Sequence, residues 1–117
     1  MASEQRRFRR APQPFQAACR PYGGLQDIWY PVITLNLSAG GIGFRSAEPY
    51  ELGSSLDIRL QITGLTQPLF LRGHVMWTTA LPGNVMEGGI EFAEVTLDQQ
   101  AQIDALVRFL DKRPPNP

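Results

Sequence analysis

The sequence predicts a mainly β protein, a six-stranded antiparallel barrel followed by one C-terminal amphipathic helix. Two observations carry this expectation. Short segments of alternating apolar and polar residues recur at nearly regular spacing, separated by glycine- and proline-bearing turns too short for helical crossovers. Only the last segment changes period, to the three-and-four spacing of a helix. With 117 residues, 43% of them apolar, the chain suffices for one domain with its own core.

Residues 1–13 are expected to form a flexible basic arm, 14–112 the barrel and helix, and 113–117 a disordered tail. In "PFQAACRPY", Phe15, Ala17 and Cys19 alternate with Gln16, Ala18 and Arg20, which predicts a first strand. Residues 30–38 predict the second, with Ile33, Leu35 and Leu37 on the core side and Thr34, Asn36 and Ser38 opposite. A turn at Ala39-Gly40-Gly41 leads into a third strand from Ile42 to Ser46. The fourth, "SLDIRLQIT", alternates most cleanly, with Leu56, Ile58, Leu60 and Ile62 on one face. A long fifth strand runs from Leu69 to Thr79, its parity grouping Leu71, Val75 and Trp77 against Phe70, Arg72, His74 and Met76. After Pro82-Gly83-Asn84, the residues Met86, Gly88, Ile90 and Phe92 mark the sixth.

Ile103, Leu106, Val107 and Leu110 share one helical face, which is expected to pack on the barrel's outside or plug one end. Thr96 and Gln99 have capping-box spacing and Asp98 sits in the first turn. Lys112 and Arg113 occupy the last turn and Pro114-Pro115 stops the helix.

Several function classes fall away. One cysteine, Cys19, excludes an internal disulfide and fits a reducing, cytoplasmic setting. No run approaches the roughly 18 to 20 apolar residues of a membrane span, and "MASEQRRFRR" lacks the apolar stretch of a secretory signal. His74 is the only histidine and stands alone on its strand; Cys19 shares a face with Phe15 and Ala17 as a small buried residue. Glu87 and Glu91, four apart on one strand face, lie roughly 13 Å from each other, too far for a tight carboxylate pair. Metal binding needs several converging ligands. The expectation is therefore no enzyme, no metal and no cofactor.

Two features stand above this background. The net charge is zero, yet residues 1–10 hold Arg6, Arg7, Arg9 and Arg10 against Glu4, a local +3, and leave −3 for the rest. An arginine-only arm suits an anionic partner, and guanidinium matches the O6/N7 edge of guanine. The second feature is "LNLSAGGIGF" at 35–44, where Asn36 and Ser38 stand side by side next to bare glycine backbone. Short hydrogen-bonding groups beside glycines make a surface that a flat ligand can approach closely.

The arm and the glycine strand together resemble the PilZ domain, the bacterial receptor module for cyclic di-GMP. Arg6 and Arg10 form its RxxxR motif, and Asn36, Ser38 and Gly41 its [D/N]xSxxG motif. "GHVMW" at 73–77 and "GGIEF" at 88–92 are similar to the family's late strands. The resemblance implies a cyclic di-GMP receptor whose arm orders over the ligand and relays the signal to a separate effector protein, as yet unidentified. It implies ligand contacts from Arg6, Arg10, Asn36, Ser38 and Gly41, with Arg7, Arg9, Gly40 and Trp77 as lesser candidates. Gln5, just before RxxxR, is neither basic nor apolar, so the resemblance leaves one or two ligands per protomer open. The alternatives are a PilZ-like interaction module without ligand and a small single-stranded nucleic-acid-binding barrel. The −3 body argues against nucleic acid.

Overall fold

The computed structural model describes residues 15–24, 27–64 and 66–112. It is a closed barrel of six strands: β1 (Phe15–Pro21), β2 (Tyr30–Ser38), β3 (Gly41–Ser46), β4 (Ser55–Ile62), β5 (Leu69–Leu81) and β6 (Val85–Ala93). Helix α1 (Leu97–Lys112) follows. The strand order is β1-β2-β3-β6-β5-β4, with every neighbouring pair antiparallel. This is the expected fold class. The arm at 1–13 and the tail at 113–117 lie outside the described residues.

Regular alternation builds one half of the barrel. β4 turns Leu56, Ile58 and Leu60 fully inward, as its sequence predicts, and pairs with β1 along all seven residues of that strand. β1 contributes Phe15, Ala17 and Cys19 to the interior, where they meet Ile42, Phe44, Leu71, Val75, Ile90 and Phe92. Between β5 and β6, Gly83 (φ 81°) and Asn84 (φ 61°) take the left-handed conformation that these two residue types tolerate best.

Two strands depart from the predicted alternation, and both departures are bulges. In β2 the register shifts between Thr34 and Asn36. Val32 packs against the core and Thr34 pairs with the fully buried Phe44, whereas Ile33 is 57% exposed and Leu35 43% exposed. Beyond the bulge Leu37 regains the core side. The expected inward trio of Ile33, Leu35 and Leu37 is therefore corrected to Val32, Thr34 and Leu37, because an extra residue reverses which parity faces inward. In β5 the shift falls between Val75 and Trp77. Val75 is buried, but Trp77 is 46% exposed instead of sharing the core face with Leu71 and Val75.

The helix begins with the capping box in place. Gln99 N donates to Thr96 Oγ1 at 3.1 Å and Thr96 N to Gln99 Oε1 at 3.0 Å. Gln99 Nε2 also donates to the Phe70 carbonyl at 2.9 Å, tying the helix start to β5. Ile103 and Leu106 are buried within the barrel's own interior cluster, with Val107 and Leu110 packed against it. The helix thus completes the core. None of the described helical residues forms a segment long and apolar enough to cross a membrane.

Replacing Thr96 by alanine is expected to cost about 1 kcal/mol of stability, read from urea unfolding, because it leaves the Gln99 amide without its cap. Burial pushes the Cys19 thiol up from 9.0 to about 12. Cys19 should therefore resist alkylation at pH 8 in the folded protein and react once it is denatured. Since the unfolded chain ionises this thiol first, stability should fall as the pH rises from about 9 toward about 12, in denaturation series at stepped pH.

Candidate ligand-binding site

The registers of β2, β3, β6 and β5 align four residues into one row across the outer face. Asn36 pairs with Gly43, Gly43 with Gly89, and Gly89 with Trp77. The two glycines leave bare backbone in the middle, and the flanking side chains lie over it. Asn36 Oδ1 accepts a hydrogen bond from Gly43 N at 3.1 Å, and a Cβ at Gly43 would come within 2.8 Å of that oxygen. A Cβ at Gly89 would lie 2.1 Å from Trp77 Nε1, so the indole rests on the β6 backbone. Any side chain at either glycine would displace one of the flanking groups.

A second row lies alongside: Ser38 pairs with Gly41, Gly41 with Glu91, Glu91 with His74 and His74 with Ser55. Ser38 Oγ accepts from Gly40 N at 3.2 Å, which fixes the hydroxyl at the turn. His74 Nδ1 and Ser55 Oγ are 3.0 Å apart, both on the exposed side of the sheet. On the other flank of the glycine pair, Arg45 is ion-paired with Glu87 across β3 and β6. Between the rows is a shallow depression of about 270 Å³ lined by Asn36, Ser38, Gly43, Trp77, Gly89 and Glu91, among others. The chemistry offered is a flat, partly apolar floor edged by an amide, a hydroxyl, an indole and a carboxylate.

The structure thus gathers Asn36, Ser38, Gly40, Gly41 and Trp77 at one place. Arg6, Arg7, Arg9 and Arg10 lie outside the described residues. Trp77 reaches the surface through the β5 bulge, contrary to its strand parity. Gly41 has a reason of its own, since a Cβ there would meet the Ile90 carbonyl oxygen at 2.2 Å; it permits close packing of β3 on β6. Gly43, from the glycine stretch beside Asn36 and Ser38, also lines the depression, as do Gly89, Met76 and Glu91, which no sequence pattern marked as site residues. The doubled glycine in "GGIEF" was the available signal for Gly89.

A larger hollow of about 960 Å³ opens between β1 and β2, lined by Phe15, Gln16, Trp29, Ile33, Arg59 and Gln61 among others. It contains none of Asn36, Ser38 or the β3 glycines. Beside it, Trp29 is stacked by Arg20 at 4.3 Å and Arg59 at 4.9 Å, while Arg20 is held by Asp27 and Asp57. Arg72 stacks on Tyr22 at 3.8 Å and lies 3.7 Å from Glu94. Of these three arginines, Arg20 and Arg72 are paired with carboxylates, whereas Arg59 is only stacked on Trp29 among the described residues.

Comparison with known proteins agrees with the fold. Residues 4–109 match the PilZ domain family. No curated protein matches the chain by sequence. Among solved structures the chain is similar to the inhibitor of motility MotI/DgrA of Bacillus subtilis, with a TM-score of 0.60 and 22% identity. That alignment covers 86% of this chain and 49% of the other, so this chain spans about half the length of that protein. With the barrel order, the capped helix and the glycine-floored face all in place, the family match over nearly the whole chain identifies this protein as a member of the PilZ domain family.

Proposed function

We propose that the protein is a cyclic di-GMP receptor that holds its ligand between the Asn36–Gly43–Gly89–Trp77 face and its N-terminal arm, and signals to a separate protein. PilZ domains are regulatory receptors and adaptors rather than enzymes. The observation that carries the reading is the exposed row itself. Asn36 and Ser38 stand beside bare backbone with a half-exposed indole at the far edge. A purine can lie against Trp77 while Asn36 and Ser38 bond its polar edge or a phosphate. Among the described residues Asn36 Nδ2 makes no hydrogen bond, so it retains two donors for a ligand.

The depression at about 270 Å³ is shallow, below the roughly 300–1,000 Å³ of pockets that enclose small ligands. A second wall is therefore required, and RxxxR is the segment to supply it. The β1–β2 ladder ends at the pair Ala17–Val32, and Asn36 lies four residues further along β2. Arg10 precedes Phe15 by five residues, a reach of roughly 17 Å when extended. Arg6 and Arg10 grip guanine O6/N7 edges and phosphates; Arg7 and Arg9 add charge. Each bidentate arginine contact contributes about 1 to 3 kcal/mol, against the roughly 8 kcal/mol of a micromolar complex. Ordering the arm over the ligand changes the surface shown to an effector, a disorder-to-order switch.

In calorimetric titration, cyclic di-GMP should bind with micromolar or tighter affinity and GTP should not. Arg10→Ala should weaken binding by about 5- to 150-fold, the effect of one such contact. Absence of heat with the wild-type protein would leave a ligand-free interaction module instead. Hydrogen exchange should show the amides of residues 5–11 slowing at saturating ligand. Rates unchanged by ligand would rule out the arm as the second wall.

A further inference from the structure

We propose that Glu91 reads the Watson–Crick edge of a guanine seated on the Gly43–Gly89 floor, and so makes the site select guanine over adenine. The inference rests on the cyclic di-GMP reading above and adds a specificity-determining residue to it.

Glu87 and Glu91 flank Gly89 on the same outer face of β6, two residues to either side. Their surroundings differ. Glu87 is neutralised by Arg45 on β3, with Arg45 Nε at 3.2 Å from its Oε2. Glu91 is opposite Gly41, which has no side chain, and opposite His74, whose Nδ1 is engaged with Ser55. Among the described residues Glu91 forms no ion pair or side-chain hydrogen bond, yet it lines the depression with Asn36, Ser38 and Trp77. A carboxylate without a partner among the described residues, in a face that receives a phosphodiester, weakens binding by repulsion unless it accepts donors from the ligand.

Guanine is the purine that supplies them. Its N1–H and 2-amino group are adjacent donors that match the two oxygens of an acceptor-only carboxylate. Its O6/N7 edge remains free for arginine. Adenine presents an N1 lone pair at the corresponding position and repels the same carboxylate. The two edges of one base are then read by groups of opposite charge, Glu91 from the barrel and arginine from the arm. A site built on such bonds rejects an analogue lacking the donor far more strongly than an apolar pocket does.

The test is calorimetry of wild type, Glu91→Gln and Glu91→Ala with cyclic di-GMP, cyclic di-AMP and cyclic di-IMP, the last lacking only the 2-amino groups. Circular-dichroism melts confirm that each variant folds. Wild type should prefer cyclic di-GMP over both analogues. Either substitution should weaken cyclic di-GMP by on the order of ten- to a hundredfold, the worth of hydrogen bonds to a charged group. The gap between cyclic di-GMP and cyclic di-IMP should close in Glu91→Ala. Variants that bind cyclic di-GMP as tightly as wild type or more tightly, or that keep the base preference, overturn the role of Glu91 and leave the receptor reading intact. A wild-type protein that binds no cyclic di-GMP overturns both.

Discussion

The outer face depends on one constraint, the pairing of Gly43 with Gly89 between a bulge in β2 and a bulge in β5. Without the bulges, continued alternation from Val32 and Thr34 turns Asn36 inward, and continued alternation from Leu71 and Val75 does the same to Trp77. Each bulge adds one residue and reverses the parity, so an amide and an indole that the core cannot accommodate emerge in the same row. The glycines then receive them. Gly43 accepts the Asn36 side chain and Gly89 the indole, neither of which leaves room for a Cβ. Bulges recur beside binding sites because they re-aim side chains in this way.

The same few residues anchor the floor they expose. In "GIGF", Gly41 and Gly43 alternate with Ile42 and Phe44, two of the most buried side chains in the barrel. Glycine weakens a strand interior, but here the inner half of β3 is held by the core while its outer half stays bare. Trp77 and Gly89 repeat the arrangement on the other side, with Val75 and Ile90 buried beneath them. Regular β4 and β1 form one half of the barrel, while β2 and β5, each with a bulge, carry Asn36 and Trp77 to the outer face.

The division explains what the sequence disclosed. All six strands, the helix and its capping box were legible, since periodicity and turn residues carry them directly. The alternation around Leu37 puts Asn36 and Ser38 outward, as the structure has them, whereas the same parity puts Ile33 and Leu35 on the wrong side of the bulge. Trp77 was misplaced for the corresponding reason on β5. A bulge has no residue signature as strong as a turn's, and one extra residue inverts everything beyond it. Gly89 and Glu91 were legible as strand residues and illegible as site residues, because only the pairing of β3 with β6 brings them to Asn36. That pairing joins strands separated by two others in the chain, information that local patterns do not hold.

The distribution of charge gives the last step. The arginine beside the glycine pair, Arg45, is held by Glu87, and the depression itself contains Glu91. The barrel side of the site therefore has hydrogen-bonding groups, an aromatic edge and an acceptor, but no unpaired described cation to attract a phosphodiester. The sequence concentrates that missing charge elsewhere, at +3 in the first ten residues against −3 in the remainder. On the proposed cyclic di-GMP reading, shape and base recognition fall to the barrel, and electrostatic attraction to the arm. Neither half would then suffice by itself for a dianionic dinucleotide: the described face offers Glu91 and no unpaired described cation, and the arm alone has no register to read a base. A receptor divided in this way would bind only when the two halves meet, and that requirement would turn ligand binding into a change of surface.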